Sequence, residues 1–146
     1  GRFHIFWEDD NTLRIDIDAG TQTRLLHFDE SPSEGGPSTP QGYSQARWRA
    51  TGGRANGSLP EERASGELNV VTTDITAGHF FRHGIPYSDQ AVYRESLITV
   101  EDRGLVYLVL TTILEDPTYL EGPYIRTLQF RKEADDSGWD PTPCLL

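Results

Sequence analysis

Asp102-Arg103-Gly104-Leu105-Val106-Tyr107-Leu108-Val109-Leu110-Thr111-Thr112-Ile113-Leu114 is the stretch that decides the fold. Leu105 to Leu114 (LVYLVLTTIL) is the most apolar run of the chain, with apolar residues at both odd and even positions. Its β-branched content and its length, roughly 33 Å if extended, predict a strand buried on both sides. Glu115-Asp116-Pro117 ends or bends it. Asp102-Arg103-Gly104 predicts a hairpin turn back to another strand, Ala91 to Glu101.

Moving outward, period-two alternation dominates. Phe3, Ile5 and Trp7 alternate with His4 and Phe6, and Glu8-Asp9-Asp10-Asn11 makes a turn. Leu13, Ile15 and Ile17 alternate with Arg14, Asp16 and Asp18. After Ala19-Gly20 a third strand runs from Arg24 to Asp29, with Leu26 and Phe28 on one face. Strands follow at Gly42–Ala50, Glu67–Ile75 and Tyr124–Lys132. Three polar or irregular stretches, 30–41, 51–66 and 76–90, read as long loops. The last is a candidate lid with room for one helical turn. No segment carries a helical stripe. The expectation is a single all-β domain over 1–132, an antiparallel meander of about eight strands, followed by a polar tail, 133–146. Such a meander forms a lipocalin-like barrel or a strongly bent sheet; a β-sandwich is the competing architecture.

The composition bounds function. The chain has 146 residues, 13 basic against 23 acidic, and a net charge of −10. Lys132 is the sole lysine. This balance argues against nucleic acid and anionic membrane surfaces as partners. No apolar run approaches the ~20 residues of a spanning helix. Cys144 is the only cysteine, so neither an intrachain disulfide nor a cysteine zinc site is expected. No Gly-rich phosphate loop, G-x-S-x-G elbow or H-E-x-x-H is present, and no cofactor is expected.

Scattered residues carry the remaining candidates. Glu95 and Arg126 each sit amid apolar residues in a strand. A buried Arg126 needs a carboxylate, and Glu95, Glu115 or Asp116 can supply it. Arg126 is also a candidate ligand contact, with Tyr107, Trp48, Thr111 and Tyr124. Glu95 and Asp116 are the candidate general bases. Thr72-Thr73 and Thr111-Thr112 place hydroxyls in apolar strands, although threonine is a good strand former in its own right. Trp7, Phe28 and Tyr43 are core or cavity aromatics. Arg14, Asp16 and Asp18 share one strand face, which a solvated surface also explains. His79 and His83, four apart with Asp74 nearby, are the nearest approach to a metal pattern, but flanking glycines oppose a helix and no metal is expected. Asn56-Gly57-Ser58 is a glycosylation sequon on a loop.

A resemblance adds to this. Gly42-Tyr43-Ser44 with Ala46-Arg47-Trp48, then Leu68-Asn69-Val70-Val71-Thr72-Thr73, resembles a GxSxxxWxGDTLVVxTT segment of a large group of uncharacterised bacterial exported proteins. Tyr93-Arg94-Glu95 is similar to their TERF/TERY strand, Glu115-Asp116-Pro117 with Pro123 to their xDPxxYxxPW segment, and Trp139 to Cys144 to their C-terminal end. Thr51–Gly66 departs from the tight turn of that group. The resemblance implies a periplasmic or extracellular β-rich protein with a signal peptide ahead of Gly1, and it carries no activity.

Three functions follow as expectations. The first is a barrel that binds a small apolar or amphipathic molecule, with Arg126, Tyr107 and Glu95 as polar contacts. The second is an extracellular structural protein that self-assembles by strand addition into homo-oligomers. The third is a cofactor-free isomerase, cyclase or dehydratase using Glu95 or Asp116 as base.

Overall fold

The computed structural model describes residues 1–28, 37–51, 65–80 and 84–143. The strands are β1 (Phe3–Asp9), β2 (Thr12–Ile17), β3 (Gln22–His27), β4 (Tyr43–Thr51), β5 (Ser65–Thr73), β6 (Gly78–Phe80), β7 (Ile85–Tyr87), β8 (Val92–Asp102), β9 (Leu105–Glu115) and β10 (Tyr124–Arg131). Eight of them form one curled sheet, a half-barrel, in the order β1-β2-β3-β4-β5-β8-β9-β10. The described residues contain no helix. Asn56, His83 and Cys144 lie outside them.

The decisive hairpin forms as its sequence requires. β8 and β9 pair over their whole length, from Val92↔Glu115 to Asp102↔Leu105. Arg103 (φ 50°) and Gly104 (φ 78°) are both left-handed, which matches a two-residue turn to the twist of the strands. β9 is buried less evenly than its composition suggests. Leu110, Thr112 and Leu114 are buried on the concave face, whereas Tyr107, Val109, Thr111 and Ile113 are half-covered on the convex one.

The strongly bent, mostly antiparallel sheet is the one expected, and two details add to it. The sheet is not antiparallel throughout, because β3 and β4 pair in parallel at Leu26↔Ser44 and His27↔Gln45. The chain between Phe28 and Tyr43 is long enough for the return crossing that parallel neighbours need. Its last part is held by Thr39, whose N–H donates to the Asp74 carbonyl and whose carbonyl accepts from Thr76. Gly42 then turns into β4 at φ 65°, packed so closely on the Thr73 carbonyl and Ile75 that no side chain fits. The second detail concerns 76–90. Among its described residues β6 and β7 form an antiparallel pair, and Phe80 packs on Tyr93 and Tyr124 at one end of the half-barrel.

The concave face holds the core. Register places Ile5, Ile15, Leu26, Ala46, Val70, Leu97, Leu110 and Leu128 on it. Leu26, Ala46 and Val70 are each 1% exposed. β1 and β10 are the sheet's two edges, and no ladder joins them. Across this seam Phe3 meets Phe130, with ring centroids 4.3 Å apart.

Candidate functional site

Cross-strand register brings a polar layer together inside the half-barrel. The chain of partners runs Ser44↔Thr72↔Tyr93, Val70↔Glu95↔Thr112 and Thr112↔Arg126, with Arg24 opposite Ile15. All of these side chains rise from the concave face because every partnered residue in a sheet shares a face. Arg24 grips Glu95 with both nitrogens, Nη1 to Oε1 at 3.0 Å and Nη2 to Oε2 at 2.6 Å. Arg24 Nη2 also donates to Ser44 Oγ and Thr72 Oγ1, both at 3.3 Å, and those two hydroxyls lie 2.7 Å apart. Only 2% of the Glu95 side chain is exposed.

Burial tends to lower the Arg24 pKa, but the charge and hydrogen bonds of Glu95 outweigh it and hold the pKa above the usual arginine value. Burial, helped by the Glu95 charge, pushes the Tyr93 hydroxyl up to about 12; its hydrogen bond with Thr112 and the charges of Arg24 and Arg126 oppose the shift. Tyr93 is therefore a neutral phenol at neutral pH. A hollow of about 20 Å³ beside this layer, bordered by Arg24, Glu95 and Leu97, has room for one water. Both Glu95 oxygens are engaged by Arg24, so the pair ties β3 to β8 across the concave face.

Each carboxylate that the sequence offered to Arg126 has contacts of its own. Glu95 is gripped by Arg24. Glu115 is exposed and pairs with Arg94 at 3.0 Å. Asp116 is buried and caps two loops, accepting from the Ser88 N–H and hydroxyl on Oδ2 and from the Thr118 and Tyr119 N–H groups on Oδ1. Arg126 itself stands in the polar layer beside Thr112, half-buried and with its own contacts.

The other sequence candidates separate. Tyr124 is on the concave face against Phe80. Tyr107 and Thr111 are on the convex face, where Thr111 lies 3.1 Å from Thr127. Trp48, 58% exposed, forms an aromatic rim with Phe28 and Trp7. Tyr43 stacks on His27. Arg14 and Asp16 pair with each other on the convex face, whereas Asp18 is buried and accepts from the Arg2 and Ala19 N–H groups. His79 is exposed, and no cluster of metal ligands occurs among the described residues.

The larger concavity lies at the seam, which the strand pattern did not single out. It has a volume of about 730 Å³. Phe3, Ile5, Val106, Leu108 and Phe130 give it an apolar floor. Beyond β10 the Lys132 N–H still donates to the Val106 carbonyl, and the chain then crosses past β1 as a strap. Trp139 stacks on His4 with centroids 3.9 Å apart. Thr142 anchors the strap through backbone hydrogen bonds with Asp18 and Gly20. Phe3 is a wall of both this trough and the small hollow beside Arg24. The chain matches no family model, no curated protein and no solved structure.

Proposed function

We propose that this chain is a binding protein for a small, partly apolar molecule, held in the seam trough beneath the C-terminal strap. The observation that carries this reading is the apolar floor of Phe3, Leu108 and Phe130 in a concavity of about 730 Å³. Ligand sites are commonly clefts of roughly 300–1,000 Å³, mostly apolar with a few polar groups. The binding place thus moves from the closed interior to the sheet's open side. Export to the periplasm or cell exterior remains part of the proposal, on the strength of the sequence motifs. Native mass spectrometry after incubation with decanoate tests the binding reading. A discrete adduct, lost on denaturation, is expected; a bare monomer at every concentration contradicts it.

The edge strand supports a second reading, self-assembly by strand addition. The Asp18 N–H donates to the Arg2 carbonyl, so Arg2 points at β2. By alternation the backbone groups of Phe3, Ile5 and Trp7 point away from the sheet. Ile5, Phe6 and Trp7 are also 42–51% exposed, an apolar edge of the kind that recruits another strand. Concentration-dependent oligomers that vanish in Ile5→Pro support this reading, and a monomer at all concentrations removes it.

A further inference from the structure

We propose that the trough selects an amphipathic anion, its apolar tail on the floor and its headgroup on Lys132. This inference rests on the binding reading above and names the ligand class. Lys132 follows Tyr124, Arg126, Leu128 and Phe130 in the concave-facing series of β10 and lines the trough directly beyond Phe130. Its ammonium has no ion pair among the described residues.

The other charges at the trough are mostly engaged. Arg2 pairs with Asp18, and Arg131 pairs with Glu133 at 3.1 Å. Asp135 accepts from the Ser137 N–H at 3.0 Å. The Asp136 carboxylate has no ion pair among the described residues, but it sits on the strap rather than on the sheet. Glu101, opposite Val106 on β8, is the nearest acidic register position to Lys132, and the two make no ion pair. A free cation at the end of an apolar floor complements a ligand with one anionic end and one apolar end. The ion pair forms beside low-dielectric surface, where it is stronger than in bulk water.

Three ligands of equal tail length separate the possibilities: decanoate, decanol and decyltrimethylammonium, each below its micelle concentration. Isothermal titration with the full chain is expected to rank decanoate tightest, by roughly tenfold over decanol, one decade of affinity. Lys132→Ala is expected to erase that margin, and Lys132→Glu to reverse it toward decyltrimethylammonium. Lys132 is exposed, so neither variant disturbs the core, and circular dichroism confirms the fold. Equal binding of all three ligands, an unchanged margin in Lys132→Ala, or a wild-type preference for the cation through Asp136 overturns the anion proposal while leaving the trough as a binding site. Binding of none of the three overturns the trough itself.

Discussion

Arg24 on β3 and Glu95 on β8 form a two-pronged ion pair across two intervening strands, β4 and β5. Three strand spacings in a flat sheet separate such residues by about 14 Å, with side chains standing side by side rather than facing. The contact closes because the sheet curls, and because Ser44, Ala46, Val70 and Thr72 keep the intervening surface low. The pair is a measure of the half-barrel's curvature.

Glu95→Gln leaves the Arg24 guanidinium buried without its charge partner. The expected loss is about 3–5 kcal/mol, the usual result of removing one partner of a buried pair. Replacing both, as Arg24→Met with Glu95→Leu, is expected to recover much of it. Urea denaturation of the three variants checks both statements, and a Glu95→Gln protein as stable as wild type removes the brace.

Asp116 makes a pH prediction with a definite sign. Burial disfavours its charge, but the hydrogen bonds from Ser88, Tyr119 and Thr118 outweigh burial and hold the carboxyl below its ordinary 3.8. A folded-state pKa below the unfolded one contributes stability above about pH 4 that fades as pH falls through the folded value. Asp16 and Asp18 shift the same way. Acid unfolding is therefore expected to set in below pH 4. Asp116→Ala, which orphans several donors, is expected to cost about 2 kcal/mol at neutral pH and to flatten the acid limb. Denaturant midpoints from pH 2 to 7 give the comparison.

Two glycines separate backbone strain from crowding. Gly104 is left-handed with open space where a Cβ would stand, so Gly104→Ala is expected to cost about 1 kcal/mol. Gly42 has the same handedness but lies against the Thr73 carbonyl and Ile75. Gly42→Ala is expected to cost clearly more, about 2 kcal/mol or above, through strain and overpacking together. Equal thermal shifts for the two contradict the packing seen at Gly42.

Trp139→Ala removes the strap's aromatic contact with His4 while Thr142 keeps its backbone anchor. Stability is expected to change little, and ligand affinity to fall by roughly two- to tenfold, the scale of one aromatic contact. Titration calorimetry reads the affinity and thermal melting the stability.

Much of this was legible in the residues, and the failures have physical causes. Alternation located the strands because one face of the sheet is buried and the other is not, and Arg103-Gly104 announced its hairpin because left-handed residues are rare. Glu95 stood out as an acid in an apolar strand. Its partner did not, although Arg24 shares parity with Leu26 and Phe28, so the signal was there. Arg126 satisfied the same logic and lies in the same layer, but that Arg24 reaches Glu95 is decided by curvature, which periodicity does not encode. Strand order is equally invisible to periodicity, so the parallel β3–β4 contact escaped. The trough depends on where two edges and a polar tail meet, and no local pattern in Phe3, Lys132 or Trp139 reports that.

The proposed binding site is the seam trough. Its most direct measurement follows the three tryptophan indole N–H signals by NMR while decanoate is added. Trp139 lines the trough, whereas Trp7 and Trp48 stand on the aromatic rim. A saturable shift of the Trp139 signal is expected, with Trp7 and Trp48 nearly still. Saturable movement of Trp7 and Trp48 with Trp139 unmoved, or no saturable change at all, contradicts it.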